Sequence, residues 1–288
     1  MIHEIQAKTL LQPVRGEDRI FGLRYNLNLY RGCQHQCIYC DSRSECYGIE
    51  DFRDVLVKVN AVELLESELR RKRVKGVIGF GSMSDPYGPV ERQYQLTARA
   101  LEVIRRFGFP VHLITKSDLV LRDIDLLSEV NRVHARVCFT LTTTDDELAR
   151  KIEPGAPLPS ARLAAMRALT KRGIPAGVSL MPVLPFLEDT PQNIRNIVEQ
   201  TAAHGGGFII AWFGMSLRDR QRAYYYEKLD QLFPGLRARY ERRFGQRYSA
   251  PAERAGELEQ VFRQRCASLG VSTHVPHWQP PEQLQLPF

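Results

Sequence analysis

Short apolar runs alternate along most of the chain with longer stretches in which apolar residues recur at helical spacing. Strand-like runs lie at 25–29, 77–80, 112–115, 137–141, 177–180 and 208–212. Helical periodicity falls between them, near 61–71, 92–107, 123–130, 160–172 and 191–203. Parallel strands need a crossover, which is usually a helix, so the alternation predicts a parallel sheet built from β-α units. These units are too few for a closed eight-stranded barrel.

The pattern changes from about residue 214. Helical stretches at 218–233, 235–244 and 252–269 follow one another with no predicted strand between them. The proline-rich end, HVPHWQPPEQLQLPF, predicts an extended tail. The sequence therefore predicts a β-α core with an N-terminal lead-in at 1–215, a helical extension at 216–270 and a tail at 271–288.

Composition narrows the class of protein without naming its function. Hydrophobic residues make up 43% of the chain, which is ordinary for a protein with a sizeable core. The N-terminus lacks the apolar core of a signal peptide, and no apolar run approaches the roughly 18 residues that span a bilayer. We therefore expect a cytoplasmic protein without membrane contact. The net charge of +7 is compatible with a polyanionic partner but supports one only weakly, because many enzymes are mildly basic.

Half of the cysteines are concentrated in one short loop. Cys33, Cys37 and Cys40 follow the first predicted strand with the spacing Cys-x3-Cys-x2-Cys. Three such thiolates can bind three irons of a [4Fe–4S] cluster and leave the fourth iron open to a substrate or cofactor. The alternative is a structural zinc site completed by His35 or Cys46, although zinc knuckles usually come as two spaced pairs of ligands. A disulfide framework does not suit a chain of this size without a secretory signal.

The cysteine spacing, with Tyr39 directly before the third cysteine, resembles the signature of the radical S-adenosylmethionine (SAM) superfamily. That resemblance implies that the open iron binds the amino and carboxylate groups of SAM. It also implies an α/β fold, the open (β/α)6 partial TIM barrel, with its chemistry at the C-terminal ends of the strands. The second and third predicted strands end in GFGSMSDPYG and in TKSD. Lys116, in TKSD, can neutralise the carboxylate of SAM.

Further segments look like the spore photoproduct lyase-like family, which is described broadly as related to DNA repair photolyases. They are NLYRGCQHQCIYC, VKVNAVELLESEL, SMSDPYGPVERQYQLT, TKSD and KIEPGAPLPSARL. By this resemblance Ser84 and Lys116 contact SAM. The full set of implied cofactor-binding residues is Tyr39, Ser84, Lys116, Thr140, Glu153 and Arg162.

One position departs from the family pattern. Spore photoproduct lyase has, at the position of Ser82, a cysteine that returns a hydrogen atom to the repaired thymine. A thiol gives up hydrogen readily, whereas the O–H bond of Ser82 is too strong to serve. We therefore expect a different substrate or a different radical-quenching step, and no clean repair of the spore thymine dimer. Cys46 and Cys138 are replacement donors, and for Cys138 a small buried core residue is the simpler interpretation.

The leading hypothesis is a lyase-like radical SAM enzyme that reductively cleaves SAM to methionine and a 5′-deoxyadenosyl radical, with a nucleic-acid lesion as the favoured substrate. Interleaved arginines and tyrosines at 218–248 suit single-stranded or distorted nucleic acid. The alternative for this segment is an amphipathic helical cap on the barrel. The alternatives for the whole protein are a radical SAM enzyme acting on a peptide or small metabolite, and a nucleic-acid-binding module with a structural metal.

The C-terminus, from Gln283 to Phe288, resembles the short Gln-Leu-x-Leu-x-Phe peptides by which bacterial repair proteins dock on the sliding clamp. Gln283 offers an amide, while Leu284, Leu286 and Phe288 offer apolar side chains for a groove. The alternative is a tail that folds back onto the protein or is frayed. The reductive chemistry implies a further partner, an external electron donor.

Overall fold

A computed structural model describes residues 1–49 and 51–280. No helix in these ranges is long and apolar enough to cross a membrane. The strands are β1 (Ile2–Ile5), β2 (Leu11–Pro13), β3 (Leu23–Leu27), β4 (Tyr30–Arg31), β5 (Val55–Lys58), β6 (Val77–Phe80), β7 (Val111–Thr115), β8 (Ala135–Thr140), β9 (Ala176–Leu180), β10 (Ile209–Ala211), β11 (Gly214–Ser216) and β12 (Ser249–Pro251). The helices are α1 (Ala61–Arg70), α2 (Glu91–Tyr94), α3 (Leu96–Phe107), α4 (Ile124–Val130), α5 (Asp146–Ile152), α6 (Pro159–Lys171), α7 (Pro191–Ala203), α8 (Asp219–Leu232), α9 (Leu236–Phe244) and α10 (Ala255–Leu269). Short 3-10 helices lie at Asp41–Arg43, Glu45–Tyr47 and Asp118–Asp123.

One large sheet contains the predicted β-α units. Its strand order is β10-β9-β8-β7-β6-β3-β2, and every neighbouring pair from β3 to β10 is parallel. β2 pairs antiparallel with β3 at one edge, while β10 forms the other edge, so the sheet does not close. The predicted α/β fold, an open (β/α)6 partial barrel, is confirmed.

The inner face of this sheet is arranged in three layers, because side chains alternate along each strand. The layer at the C-terminal strand ends lines a cavity, and the middle layer is apolar. The layer at the N-terminal strand ends, which we call the barrel base, carries basic and aromatic side chains. From the C-terminal end the layers contain Lys116, Thr140 and Trp212, then Ile114, Cys138 and Ile210, then His112, Arg136 and Phe208.

The outer face of the sheet packs against the helices. Val137 and Phe139 of β8 are completely buried in the same core as Leu127 of α4 and Leu169 of α6. Burying side chains of this size stabilises the fold by about 1.5–3 kcal/mol each relative to exposure. This packing fixes the C-terminal strand ends, where the candidate site lies.

Two features of the predicted helices were wrong. The helix expected at 92–107 is two helices, α2 and α3, because Gln95 between them adopts a left-handed backbone with φ 51°. The extension also contains a strand, since β12 lies between α9 and α10 and pairs antiparallel with β11. A three-residue strand is specified by its partner and carries little local signal of its own.

The extension packs on the cysteine loop and on the outside of the barrel. Tyr225, Tyr226 and Tyr240 are buried in one apolar cluster with Cys37 and other residues of the loop. The amphipathic-cap interpretation of 218–248 therefore applies to these three tyrosines. α10 packs along α7, where Arg265 and Glu199 form an ion pair at 2.8 Å.

Residues 271–280 run across the barrel base. Val271 and Val275 are buried there, and Ser272 forms a β-bridge to Phe208. Arg136 donates a hydrogen bond to the Pro276 carbonyl oxygen. The candidate clamp-binding peptide, residues 283–288, lies outside the described residues.

Candidate active site

The cysteine loop lies between β4 and the 3-10 turn at Asp41–Arg43, and local contacts fix its shape. Gly32 has φ 81°, and a Cβ there would lie 2.0 Å from the Asp54 carbonyl oxygen, so only glycine fits. Gln36 also has a left-handed backbone, with φ 52°, and its side-chain amide donates to the Cys33 carbonyl oxygen at 2.7 Å. The protein therefore holds the loop in shape through its own contacts.

The three cysteines of the loop line a single cavity of about 430 Å³ at the C-terminal ends of the barrel strands. Cys46, Glu153 and Arg162, also predicted from sequence, are not part of its wall. The predicted site residues that do line it are Cys33, Cys37, Cys40, Tyr39, Ser82, Ser84, Lys116 and Thr140.

The three thiols of the loop suit a [4Fe–4S] cluster, because they surround one cavity. All three loop thiols are free, and Cys37 is buried while the other two are half-buried. Among residues 1–49 and 51–280, no three His, Cys, Asp or Glu side chains are grouped so as to hold one ion. In a [4Fe–4S] cluster each thiolate binds a different iron, so the thiols need to surround a cavity. Of the two candidate fourth zinc ligands, Cys46 lies outside this cavity. His35 lines it, with Nδ1 3.3 Å from Asp85 and a buried Nε2 that has no hydrogen-bond partner among the described residues.

The groups around the thiols change the pKa values of Cys33 and Cys37 and therefore affect iron loading. Burial raises the pKa of Cys33 to about 12 and also raises that of Cys37, although the nearby Lys116 ammonium opposes the shift at Cys37. The backbone N–H groups of His35 and Asp85 donate to Cys33 and also favour its thiolate. Iron binds thiolates, so iron loading has to release the thiol protons. The Lys116 ammonium and the two N–H groups favour this step, because they stabilise the thiolates.

Asp85 connects the cysteine loop to the end of β7. Its carboxylate accepts from the Thr115 hydroxyl at 2.6 Å and from the Lys116 backbone N–H at 2.7 Å, and it lies 3.3 Å from His35 Nδ1. Burial would raise the pKa of Asp85, but His35 and the hydrogen-bond donors hold it at about 2. The ionised carboxylate therefore fixes Lys116 relative to the loop.

Glu153 and Arg162 form a buried network with Tyr39 behind the cavity wall. The Tyr39 hydroxyl donates to one carboxylate oxygen of Glu153, and Arg162 donates to the other. Arg162 also donates to the Thr140 carbonyl oxygen at 3.0 Å. Burial would raise the pKa of Glu153, but Arg162 and Lys116 hold it below its ordinary value, so the carboxyl is ionised. In this arrangement the pair orients Tyr39 and the end of β8.

Lys116 and Ser84 present polar atoms on the wall of the cavity. Lys116 Nζ lies 5.6 Å from the centre of the Tyr39 ring. Burial would lower the pKa of Lys116, but the neighbouring Cys37 and Glu153 raise it above its ordinary value, so the ammonium is charged. The Ser84 hydroxyl donates to a backbone carbonyl oxygen of β4 at 2.8 Å, which leaves its own oxygen free to accept.

The three candidate hydrogen donors occupy different places. Ser82 lines the cavity, and its hydroxyl lies 3.2 Å from the Asn28 side-chain oxygen. Cys46 is exposed in an adjoining cavity of about 340 Å³, which shares Arg218 and Tyr248 with the main one. Cys138 is completely buried in the apolar middle layer, as its core interpretation requires.

Arg218 and Tyr248, from the segment 218–248 that was predicted to suit nucleic acid, lie at the rim of the cavity together with Trp212. Trp212 and Tyr248 are 43% and 56% exposed, the most exposed large aromatic side chains of the described chain, and both line the cavity. The Arg218 guanidinium lies 5.2 Å from the Tyr248 ring centre and pairs with Asp41 at 3.0 Å. Trp212 could have been found, because it ends the sixth predicted strand as TKSD ends the third. Tyr248 belongs to the predicted basic and aromatic segment, but its place at the cavity depends on the β11–β12 pairing.

Comparison with known sequences connects this geometry to a family. The profile of the radical SAM superfamily matches residues 27–214. An uncharacterised protein of Mycobacterium tuberculosis is 33% identical over 246 residues, covering 83% of this chain and 72% of that protein. The radical SAM Nalpha-GlyT isomerase of Pseudomonas phage M6 is 27% identical over 181 residues, covering 63% of this chain and 37% of that enzyme.

Comparison with solved structures supports the same fold. Spore photoproduct lyase carrying a cysteine-to-serine substitution superposes with a TM-score of 0.72 at 18% identity, covering 94% of this chain and 81% of that one. Spore photoproduct lyase in complex with a dinucleoside spore photoproduct gives a TM-score of 0.70 at 17% identity, with the same coverage of both chains. At this identity the similarity describes the fold.

Proposed function

The chain belongs to the radical SAM superfamily, and we propose from that premise that it binds a [4Fe–4S] cluster through Cys33, Cys37 and Cys40 and cleaves SAM reductively. The observation that carries the proposal is the single cavity that brings three free thiols together with Lys116 and Ser84. When reduced by an external donor, the bound cluster supplies the electron that splits SAM into methionine and a 5′-deoxyadenosyl radical.

The protein's own residues position SAM. The Lys116 ammonium neutralises the carboxylate of SAM, and Ser84 and Thr140 offer hydroxyl groups to its polar atoms. Asp85 fixes the Lys116 backbone, while Glu153 and Arg162 hold Tyr39 against the cofactor. Preorganised contacts of this kind reduce the freedom that is lost on binding.

Replacing Lys116 by alanine should weaken SAM binding by about 10- to 100-fold, because a charge-assisted contact is worth about 1.5–3 kcal/mol. Iron content should not change, since Lys116 is assigned to SAM and not to the cluster. Equilibrium dialysis of the anaerobically reconstituted protein measures SAM binding, and a colorimetric iron assay measures its iron content. Lys75→Ala is the control, because Lys75 is exposed and does not line the cavity; its Nζ lies 6.0 Å from the centre of the Phe109 ring. Unchanged SAM affinity in Lys116→Ala would contradict the assignment.

A nucleic-acid lesion is the substrate class that we propose. Trp212 and Tyr248 offer exposed ring faces at the cavity mouth, and aromatic faces stack on nucleobases. Arg218 beside Tyr248 offers a cation for a phosphate. The proposal also draws on a structural neighbour, spore photoproduct lyase, which was solved in complex with a dinucleoside spore photoproduct. A peptide or small metabolite at the same mouth is the alternative.

The two tryptophans of the chain, Trp212 and Trp278, allow a direct test. In Trp278→Phe the remaining fluorescence reports on Trp212, and we expect single-stranded DNA to quench it at low salt. Stacking on one aromatic is worth about 1–3 kcal/mol, so Trp212→Phe should retain part of the affinity and Trp212→Ala should lose about 5- to 100-fold. Trp278→Phe should bind like the unmodified chain. If DNA leaves Trp212 fluorescence unchanged while SAM is still cleaved, the result contradicts the nucleic-acid proposal and favours a peptide or small metabolite as the substrate.

The return of a hydrogen atom to the substrate stays a prediction. Ser82 lies on the cavity wall, but its O–H bond is too strong to give up a hydrogen atom. Cys46 lies in the adjoining cavity, where its thiol contacts Arg218. We therefore propose Cys46 as the first candidate donor, ahead of the buried Cys138. The remaining alternative is a nucleic-acid-binding module with a structural metal. If it is correct, the protein stays colourless after anaerobic iron loading.

The proposed partners are an electron donor and the sliding clamp. Clamp docking rests on the sequence of residues 283–288 alone and remains a prediction. Residues 271–280 cross the barrel base, so the last described residue lies on the side of the barrel opposite the cavity.

A further inference from the structure

Arg136 is a buried cation without an anionic partner in the described part of the chain. Its residue is 2% exposed, and its Nη1 atom is buried with no hydrogen-bond partner. Its other terminal nitrogen donates to the Pro276 carbonyl oxygen, which carries no charge. Burial lowers the pKa of Arg136 to about 10, so the guanidinium is still charged at neutral pH. A buried charge of this kind requires a counter-charge.

The neighbouring side chains do not supply one. His112 pairs with Arg136 in the β7–β8 register and is completely buried, with neither ring nitrogen hydrogen-bonded. His134 also has a buried Nε2 without a partner. Burial and the charge of Arg136 lower the pKa of these rings to about 3 and about 4, so both are neutral. A neutral imidazole can donate one hydrogen bond but balances no charge, and a buried water molecule likewise carries none.

The space beside Arg136 is large enough for a ligand. A cavity of about 390 Å³ is lined by His134, Arg136, Phe208 and Pro276, between the starts of β8 and β9 and the segment 271–280. It shares no lining residue with the cavity of the cysteine loop. The apolar middle layer separates the two, so the barrel base is an independent compartment.

We propose that this cavity at the barrel base binds a small oxyanion, a phosphate or carboxylate group, with Arg136 as its principal ligand and His134 as a hydrogen-bond donor. A guanidinium presents planar, paired N–H donors that match two oxygens of either group. Only one terminal nitrogen of Arg136 is engaged, so Nη1 is available to such an oxygen. The site lies outside the catalytic compartment and does not depend on the proposed reaction.

Titration calorimetry on the full chain, before iron loading, tests the proposal with inorganic phosphate and with acetate at constant chloride ionic strength. We expect the titration to give one bound anion per chain. In a thermal unfolding scan at a saturating anion concentration, the midpoint of unfolding should rise by about 4 °C. The two arms identify which oxyanion chemistry the cavity prefers. Absence of binding of both anions up to about 10 mM would overturn the proposal.

Variants locate the bound anion. Arg136→Gln should weaken binding about tenfold or more, and Arg136→Lys should weaken it too because it loses the paired donors. Arg132→Gln, which removes a 75% exposed guanidinium paired with Glu129, should bind normally. If Arg136→Gln does not fold, His134→Phe provides the same test at a half-buried position. Binding that survives Arg136→Gln but is lost in Lys116→Ala would place the anion in the other cavity and overturn the assignment.

Discussion

Replacing any one of Cys33, Cys37 or Cys40 by alanine should abolish both stable iron–sulfur binding and SAM cleavage. Each thiol of the loop is assigned to a different iron, and no other cysteine lines the cavity. A variant with two thiolates therefore has no replacement thiolate in the cavity wall. Anaerobic reconstitution followed by iron and sulfide analysis, visible absorption and chromatography of deoxyadenosine measures the effect.

Two matched substitutions serve as controls for the cysteine prediction. Cys266→Ala alters a buried thiol in α10, and Cys46→Ala alters an exposed thiol six residues after the loop. Both should load iron normally and cleave SAM. A loop variant that keeps full iron and full cleavage would show that the ligands are assigned wrongly, whereas a colourless unmodified protein would favour the structural-metal alternative.

Arg162→Met should lower the free energy of unfolding by about 3–5 kcal/mol, because it leaves the buried Glu153 carboxylate without its cation. The two side chains are 1% and 2% exposed, so water cannot replace the lost partner. Urea denaturation of the protein before iron loading measures the loss. Arg263→Met is the control: its ion pair with Glu259 is exposed, and pairs of that kind contribute about 0–1 kcal/mol.

The double substitution Arg162→Met with Glu153→Gln separates two roles for this pair. Removing the charge of Glu153 as well should restore more than half of the lost stability, since no unpaired ion remains. If Arg162 instead acts by touching SAM, Arg162→Met will weaken SAM binding with a loss of stability no larger than in the control. That result would contradict the positioning role that its burial supports.

Local sequence patterns predicted much of the fold and part of the site. The cysteine spacing defines the loop within a few residues, and alternating strands and helices define the parallel sheet. Lys116 was predictable because the C-terminal ends of parallel strands meet at one edge of a sheet. Gly32 is a local requirement too, since its backbone conformation and close approach exclude a side chain.

What could not be predicted depends on contacts between distant parts of the chain. Cys46 follows Cys40 closely in sequence but points into a neighbouring cavity, because the turns after the loop redirect the backbone. Glu153 lies behind the cavity wall and not on it. Its carboxylate accepts a hydrogen bond from Tyr39, which does line the cavity. Tyr248 reaches the rim of the cavity through the β11–β12 pairing, which no periodicity in the sequence predicts.

The pairing of β11 with β12 has a consequence for how such a protein can diversify. Most residues of the cavity wall, from the cysteine loop to Pro182, come before β10 in the chain. Arg218 and Tyr248 come from a later segment, which runs from β11 to the end of β12. The antiparallel pair brings both ends of that segment to the same rim. An exchange within it can therefore reshape the mouth, provided that the buried Tyr225, Tyr226 and Tyr240, which pack on the cysteine loop, are kept. In a lineage of such enzymes, new substrates can be acquired by changing one contiguous stretch of the gene.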